Sequence, residues 1–400
     1  MKNIHQDGAI RECTGCGICA SVCSKNAISI KHDINGFYKP IVNSELCIDC
    51  GICKNSCYKF DSNFKLDDSV KYCLAATNND ITQLECSSSG GVSRLLMEEA
   101  ISRGYKVFGC AYDMKTGIAK SVIVSSISEL DIFYGSKYFQ SYTYDGFSEI
   151  LNDKSNQKYA LFGTPCQIYA FSKTKKYISN PDLYLCVDIF CHGCPSYNLW
   201  SSYLKSIKSK FNIKSIDKIA FRSKTYGWHE YSIDFYFDNC QKSSKKIFDP
   251  FFDMFFGGDI MNKACYDCKA RSTLHYADIR IGDFWGSKYE LDTKGVSAIV
   301  VKSELGDCFI QSIKEKINFE HADFETIVSA QSYGKGFSYN EKRRSFLLDS
   351  LSSSLDTFEL NKKYRGMFPL SRRIKMNLKA FVKMLPQPIS VVTRNFLHSL

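Results

Sequence analysis

"CTGCGICASVC" (residues 13–23) and "CIDCGICKNSC" (residues 47–57) decide the fold of the first part of this 400-residue chain. Each stretch holds four cysteines in the spacing C-x2-C-x2-C-x3-C, so the second duplicates the first. Three cysteines that lie two residues apart wrap a loop around one corner of a cubane cluster, which leaves the fourth to reach a second cluster. The duplication therefore predicts two metal clusters that exchange one cysteine each.

This spacing is typical of bacterial ferredoxins with two 4Fe–4S clusters. We assign the first cluster to Cys13, Cys16, Cys19 and Cys57, and the second to Cys47, Cys50, Cys53 and Cys23. Zinc, the alternative, uses pairs of cysteines rather than two runs of four. Between the runs, Asn35-Gly36 separates two β-prone segments and predicts a hairpin. We expect a two-cluster ferredoxin-type domain over residues 1–65.

The composition is that of a globular protein, with 44% hydrophobic and 24% charged residues. Solubility accounts for the net charge of +10 better than nucleic-acid binding does, so we expect no nucleic-acid partner. The chain begins without an apolar signal segment and has no run of apolar residues long enough to span a membrane. Nineteen cysteines in this context favour reduced, metal-binding thiols, so we expect a cytoplasmic location.

The pattern changes to mixed α and β over residues 70–325. "SSSGG" (residues 87–91) precedes an amphipathic helical pattern over 92–102, and a strand is predicted over 105–112. A glycine-rich turn at the start of a helix can hold a phosphate, although it can equally be an ordinary helix cap.

Two predicted strands of this region lead into cysteines. The strand over 158–162 is followed by Cys166, and the strand over 183–190 is followed by Cys191. Strand ends are where α/β folds hold their sites. Cys265-x-x-Cys268 is compatible with half a zinc site, a redox pair or half a cluster site. Its partners must be distant in sequence, and Cys166 and Cys191 are the best placed.

Eight motifs in order then carry a resemblance to a known family: "SSGG", "GSKYFQS", "FGTPCQ", "CHGCPS", "FRSKTYGW", "CYDC", "DIRIGDFWG" and "KGVSAIVV". From residue 70 to about residue 310 the chain resembles the coenzyme F-420 hydrogenase/dehydrogenase beta-subunit family, whose members bind FAD and a 4Fe–4S cluster. The resemblance implies a third 4Fe–4S cluster at Cys166, Cys191, Cys265 and Cys268.

Two alternatives stay open for that third set of cysteines. Cys194 stands where the family usually has an apolar or small residue, so Cys191-x-x-Cys194 could form a redox pair instead. Cys166 and Cys191 could also be buried structural thiols, since cysteine is among the most buried residue types.

The resemblance also implies FAD, although no Rossmann G-x-G-x-x-G motif is present. We expect amides of the turn to meet the pyrophosphate and basic side chains to supply positive charge. Tyr138 or Trp228 could stack on a ring. The candidate cofactor-binding residues are Ser88, Ser89, Gly90, Gly91, Lys137, Arg222 and Lys224.

Residues 330–400 form a basic tail with a helical pattern. Basic and apolar residues alternate here at helical spacing, as in "LSRRIKMNLKAFVKML" (residues 370–385). A basic amphipathic helix can lie on an anionic membrane surface as a peripheral contact, or it can pack on the protein or on a partner.

We predict an α+β protein: an N-terminal ferredoxin-like domain with two 4Fe–4S clusters, followed by a mixed α/β flavin- and cluster-binding domain. The expected function is that of an iron–sulfur flavoprotein oxidoreductase. It would relay electrons between the clusters and an FAD that exchanges hydride with coenzyme F-420 or a similar carrier. The expected partner is a redox protein or a small electron carrier.

Two further classes are considered. The alternative is an electron-transfer subunit without its own substrate chemistry, in a polysaccharide-synthesis setting such as some relatives have. A scaffold that has lost its chemistry is disfavoured, because all eight N-terminal thiolates remain. We assign no catalytic residue. His192 and Asp283 are candidates for handling protons, and a structural role for each is the alternative.

Overall fold

The computed structural model describes residues 3–5, 12–178, 180–353 and 355–384. The helices are α1 Ile18–Ser21, α2 Ile52–Ser56, α3 Ile81–Cys86, α4 Val92–Ser102, α5 Tyr144–Asn152, α6 Pro165–Ser172, α7 Tyr197–Phe211, α8 Pro250–Gly257, α9 Glu304–Ser312, α10 Phe324–Ser329, α11 Glu341–Ser352, α12 Thr357–Gly366 and α13 Leu370–Met384. The strands are β1 Ile28–His32, β2 Tyr38–Val42, β3 Tyr72–Asn78, β4 Tyr105–Asp113, β5 Ile118–Val124, β6 Ser141–Tyr142, β7 Lys158–Gly163, β8 Tyr184–Ile189, β9 Lys218–Ser223, β10 Ser232–Phe237, β11 Cys240–Lys245, β12 Ile279–Asp283, β13 Ser297–Val301 and β14 Ile317–Ala322.

A small hairpin separates the two cysteine runs, as the Asn35-Gly36 pair predicts. Strands β1 and β2 pair antiparallel, with Ile28 opposite Val42. Gly36 lies in the turn with φ of +74°, a conformation that glycine adopts without the steric cost of a Cβ. The Asp33 carboxylate accepts the amides of Asn35 and Phe37 and closes the loop.

A nine-stranded mixed sheet forms the centre of the molecule, in the order β14-β3-β13-β12-β8-β7-β4-β5-β6. Strands β4, β7, β8 and β12 run parallel in its middle. On one side β13, β3 and β14 are added antiparallel, and on the other side β5 pairs antiparallel with β4. With the ferredoxin-type hairpin in front of it, this mixed sheet confirms the predicted α+β class.

Alternate residues of the central strands enter different cores, as the two-residue period of a strand requires. Leu185 and Val187 pack on one face of the sheet with residues of α4 and α9. Cys186 packs on the opposite face with residues of α5 and α6. Because both faces are covered, β8 and β13 read as nearly continuous apolar runs.

A second, three-stranded antiparallel sheet has the order β11-β10-β9. Its buried residue Phe235 shares a core with Trp200 and Tyr203 of α7, Phe251 of α8 and Leu347 of α11. Within the described parts of the chain, no helix combines the length and apolarity that a bilayer crossing requires. The end of the predicted tail, residues 385–400, lies outside the described residues.

Candidate functional site

Two small cavities lie in the N-terminal region, and each is lined by four of its eight cysteines. One cavity is bounded by Cys13, Cys16, Cys19 and Cys57. The other is bounded by Cys23, Cys47, Cys50 and Cys53. In this grouping each run lends its fourth cysteine to the other run, which is the arrangement of a two-cluster ferredoxin.

A cubane cluster and a single metal ion hold their ligands at different separations. Among the described residues, no three His, Cys, Asp or Glu side chains are close enough to hold one metal ion. A cubane carries its cysteines on four separate iron atoms, so its ligands stand further apart than those of one ion. Burial raises the pKa of Cys16 to about 12 and that of Cys57 to about 11, so cluster binding would have to displace their protons.

Two hydrogen bonds connect backbone carbonyls of the first cysteine loop to side chains of the central region. Gln140 Nε2 donates to the carbonyl of Thr14 at 2.6 Å, and Thr143 Oγ1 donates to the carbonyl of Cys16 at 2.6 Å. Gly17 adopts φ of +77°, and a Cβ added there would lie 2.3 Å from Thr143 Oγ1. Glycine at position 17 therefore allows the cysteine loop to approach the sheet so closely.

The two N-terminal sets differ in how exposed they are. Cys50 of the second set is exposed to solvent, whereas Cys16 and Cys19 of the first set are buried. Burial is the main cause that raises the pKa of Cys19, and the thiols of its own set and Cys53 of the other set raise it further. The first set thus lies inside the molecule, beside the second set, which faces solvent.

Cys166 and Cys191 lie at the same edge of the large sheet. Strands β7 and β8 are parallel neighbours, and each strand leads out of the sheet at its carboxyl end towards one of these cysteines. Cys166 occupies the first turn of α6, whose N-cap is Thr164. The Thr164 hydroxyl lies 3.1 Å from the Cys166 sulfur.

Five thiols converge at this edge. Burial raises the pKa of Cys166, with further contributions from Cys268 and Cys191. Burial likewise raises the pKa of Cys191 to about 12, with contributions from Cys265 and Cys268. A hydrogen bond from the Cys194 thiol lowers the pKa of Cys265 below its ordinary value. The sequence-predicted set of four is thus together, and Cys194 lies beside it against Cys265.

Two residues that the sequence reasoning missed lie among these thiols. The guanidinium of Arg271 donates to the carbonyls of His192 and Cys265, at 2.9 and 2.8 Å. It brings a buried positive charge next to the thiols. Tyr58 is buried near Cys16 of the first set and near Cys166 and Cys268 of the third. Arg271 follows the C-x-x-C pair by three residues, and this short distance in sequence could have identified it as a residue of the site.

A cavity of about 510 Å³ opens beside Cys166, Cys191 and Cys194. Its size is within the range of cofactor pockets. Cys16 of the N-terminal domain also lines it. Its walls include several aromatic side chains, among them Tyr138, Phe139, Phe162, Phe190, Tyr231, Phe256 and Trp285.

A second cavity of about 190 Å³ continues the first, since both are lined by Ser93, Met97 and Asp283. Its wall includes Ser88, Ser89 and Gly91, at the start of α4. Gly91 is the N-cap and supplies no side-chain hydrogen bond to the first turn. The free amides and the positive end of the helix dipole suit an anion here.

Arg222 lines the larger cavity and contacts Ser88 and Asp283 of the smaller one. Its guanidinium is buried, pairs with Asp283 at 2.9 Å and donates to the carbonyl of Ser88 at 3.1 Å. Although burial opposes it, the Asp283 carboxylate holds the pKa of Arg222 above its ordinary value. The Nε of Arg222 is buried and has no hydrogen-bond partner in the described part of the chain.

The other two predicted cations bind backbone carbonyls. Lys137 lines the larger cavity, but its ammonium donates to the carbonyls of Ile132, Phe133 and Tyr134. Lys224 donates to the carbonyls of Leu84 and Ser89, and it is not among the lining residues of either cavity. Burial lowers the pKa of each lysine to about 8.

Gly90 lies on the side of the turn that packs against the large sheet. A Cβ on Gly90 would lie 2.2 Å from the carbonyl oxygen of Ala76 and 2.5 Å from the amide nitrogen of Ser297. Position 90 therefore packs against β3 and β13, whereas Ser88, Ser89 and Gly91 face the cavity.

Of the two residues expected to stack on a cofactor ring, Tyr138 and Trp228, only one lines the large cavity. Tyr138 lines the large cavity, but Trp228 is fully buried behind it and donates to Asp283 at 2.7 Å. Trp228 stacks on Trp285, with ring centroids 4.9 Å apart, and Trp285 is the residue that faces the cavity. The "DFWG" motif could have indicated that Trp285 faces the cavity. Asp283 and Trp285 are two residues apart, so they lie on one face of an extended segment.

His192 lines the same cavity. Its Nδ1 lies 2.9 Å from the Ser332 hydroxyl, and its ring packs against Phe255, Phe256 and Phe337. Burial, followed by the charge of Arg271, lowers the pKa of His192 to about 4. The imidazole is therefore neutral at physiological pH.

Two parts of the chain match known protein families. Residues 156–326 match the family described as the C terminus of the beta subunit of coenzyme F420 hydrogenase/dehydrogenase. Residues 12–59 match a 4Fe-4S dicluster domain. No curated protein matches the chain. A chain of the F420-reducing NiFe hydrogenase complex from Methanosarcina barkeri is 17% identical with a TM-score of 0.46, over 77% of this chain and 97% of that one.

The cysteine sets and the dicluster match indicate an iron–sulfur protein. More particularly, residues 12–59 are similar to a 4Fe-4S dicluster domain, and residues 156–326 are similar to the C terminus of the coenzyme F420 hydrogenase/dehydrogenase beta subunit. The predicted resemblance to those beta subunits is thereby confirmed over residues 156–326, and the predicted two-cluster ferredoxin-type domain over residues 12–59.

Proposed function

We propose that this protein is an iron–sulfur flavoprotein oxidoreductase that connects a one-electron redox partner to a hydride carrier such as coenzyme F-420. Three 4Fe–4S clusters and one FAD would be its cofactors. The clusters would supply one-electron transfer, and FAD would supply the junction between one-electron and two-electron chemistry.

The eight N-terminal cysteines would hold two clusters in the crossed grouping. Cys166, Cys191, Cys265 and Cys268 would hold the third, with Arg271 balancing its negative charge. We prefer Cys191 to Cys194 because Cys191 interacts electrostatically with Cys166, Cys265 and Cys268, the three other members of the set. The Cys194 thiol hydrogen-bonds to Cys265 and also interacts with Cys191 and Cys166.

The continuous cleft formed by the two cavities would hold FAD. Amides at the start of α4 and the hydroxyl of Ser88 would bind the pyrophosphate, whereas the Ser89 hydroxyl already donates to the carbonyl of Val296 at 2.8 Å. The unpartnered Nε of Arg222 is a donor that a bound anion could satisfy. Gly90, Lys137 and Lys224 would support the walls, since their backbone or ammonium groups already contact the protein.

One observation carries the proposal: three groups of thiols follow one another from the surface to the cleft. Cys50 is exposed, Cys53 interacts with Cys19, and Cys16 interacts with Cys166. Cys166 lines the large cavity. A partner that docks near Cys50 would therefore exchange electrons with the cleft through groups held by this one chain.

The proposal is tested by loading the protein anaerobically with FAD and mixing it with reduced coenzyme F-420. We expect the coenzyme to be oxidised while the visible absorption of the flavin and the clusters is bleached. A matched sample without FAD controls for direct reduction of the clusters.

The alternative is an electron-transfer subunit that leaves substrate chemistry to another protein. The exposure of Cys50 favours this alternative too, because electron transfer through the second set needs only a redox partner near Cys50. In this case a reduced ferredoxin would bleach the clusters, but reduced coenzyme F-420 would remain unchanged even with FAD present. That result would contradict the hydride-exchange proposal.

A further inference from the structure

Helix α13 carries an apolar face that is open to solvent. Leu370, Ile374, Leu378 and Phe381 follow one another at intervals of four, four and three residues, which puts them on one side of a helix. Their side chains are 67%, 50%, 46% and 61% exposed. Four large apolar side chains in one exposed row mark an interaction surface rather than ordinary surface scatter.

Other contacts hold this helix to the rest of the molecule. Val382 is buried and Met376 packs against the core of the C-terminal helices. Asn377 accepts a hydrogen bond from the guanidinium of Arg365 in α12 at 3.0 Å. Asn377 lies at the edge of the same face as the row, three residues after Ile374, yet the four apolar side chains remain 46–67% exposed.

Most of the net positive charge of the protein comes from the C-terminal segment that contains α13. Residues 360–400 contain nine of the 52 Lys and Arg residues and none of the 42 Asp and Glu residues. They therefore account for nine of the ten net positive charges. Within α13 itself the basic residues are Arg372, Arg373, Lys375, Lys379 and Lys383. Such a segment attracts an anionic partner.

We propose that α13 docks on an anionic lipid surface, with its apolar row inserted among the acyl chains and its basic residues at the headgroups. An apolar row flanked by Lys and Arg, without acidic residues, is the pattern of helices that lie in the membrane interface. A lipid surface satisfies the apolar row and the positive charge together. The contact would be peripheral and would keep the protein next to membrane-bound partners or substrates.

The test is flotation of the full chain with vesicles of phosphatidylcholine alone and of an equal mixture of phosphatidylcholine and phosphatidylserine. We expect binding to the mixed vesicles that weakens as salt is added, because screening reduces the headgroup attraction. Replacing Ile374 and Phe381 together with serine should weaken that binding by about tenfold or more.

The matched control replaces Ile127 and Ile132 with serine, since both are also exposed but belong to another surface. This variant should bind like the wild type. Equal binding by the Ile374/Phe381 variant, or no binding of the wild type to mixed vesicles, would overturn the proposal. A concentration-dependent dimer that dissociates in the Ile374/Phe381 variant would also overturn it, since a second copy would then cover the row.

Discussion

Cys166 illustrates what a single residue can and cannot disclose. A strand over 158–162, a turn and a following helix were predictable from local sequence, and the structure has β7 over Lys158–Gly163 and α6 from Pro165. The neighbours of Cys166 come from loops far along the chain, at Cys191 and Cys268. Local pattern cannot specify such neighbours, because they depend on how parallel strands are ordered.

Lys137 and Lys224 show the same limit for charged residues. Each was predicted to meet an anionic cofactor from the residue type and its aromatic or basic surroundings. Each ammonium instead donates to backbone carbonyls, of Phe133 and Tyr134 in one case and of Ser89 in the other. The sequence does not show which backbone carbonyls are free to accept a hydrogen bond. The binding of these two lysines to carbonyls, instead of to a cofactor, was therefore not predictable from it.

Replacing Cys191 or Cys194 with serine separates the two residues that compete for the third cluster. We expect Cys191→Ser to lose about four of about twelve iron atoms per chain, whereas Cys194→Ser should keep them all. The two variants remove the same atom from neighbouring positions, so each controls for the other. The measurement is the iron and sulfide content after anaerobic purification. Loss of iron in Cys194→Ser alone would reverse the assignment.

At the scale of elements, a buried ion pair links β8 to β12 and to the loop after the C-x-x-C pair. Arg280 Nε donates to Asp188 Oδ1 at 2.7 Å, and both side chains are almost fully buried. The same guanidinium donates to the carbonyls of Arg271 and Thr273, at 3.0 and 2.9 Å. The guanidinium of Arg280 therefore connects β12 to β8 and to the segment that carries Arg271.

Asp188→Asn should destabilise the protein strongly, by about 3–5 kcal/mol, because it leaves Arg280 buried without its counter-charge. The measurement is the free energy of unfolding in urea, followed anaerobically by circular dichroism. Glu304→Gln is the matched control, since Glu304 pairs with Lys71 but is 89% exposed. It should change stability by less than about 1 kcal/mol. Equal stability of Asp188→Asn and the wild type would contradict the role of the pair.

Elements were more predictable than their order in the sheet. The hairpin at Asn35-Gly36 and the helix over 92–102 follow from local signals, and both are present. The sheet order depends on pairings such as β3 with β13, whose residues Ala76 and Ser297 are far apart in sequence. Periodicity says which face of a strand is apolar, but it does not say which strand lies beside it.

At the scale of the whole molecule, the N-terminal domain and the central sheet share one site. Asn262 donates to the carbonyl of Cys13 at 3.0 Å, and Gln140 accepts the amide of Tyr38 at 2.9 Å. These contacts bring Cys16 to the wall of the large cavity. The cysteine spacing predicted the N-terminal sets from local sequence alone, whereas this junction depends on side chains of the central region.

The most direct test of this account is the cofactor content of the anaerobically purified and reconstituted protein. Three cubane clusters and one flavin predict about twelve iron, about twelve sulfide and about one FAD per chain. The full-length wild type is used, and iron, sulfide and flavin are measured on one sample. About eight iron with no flavin would contradict it, because the five thiols and the cleft at the sheet edge would then hold neither cofactor.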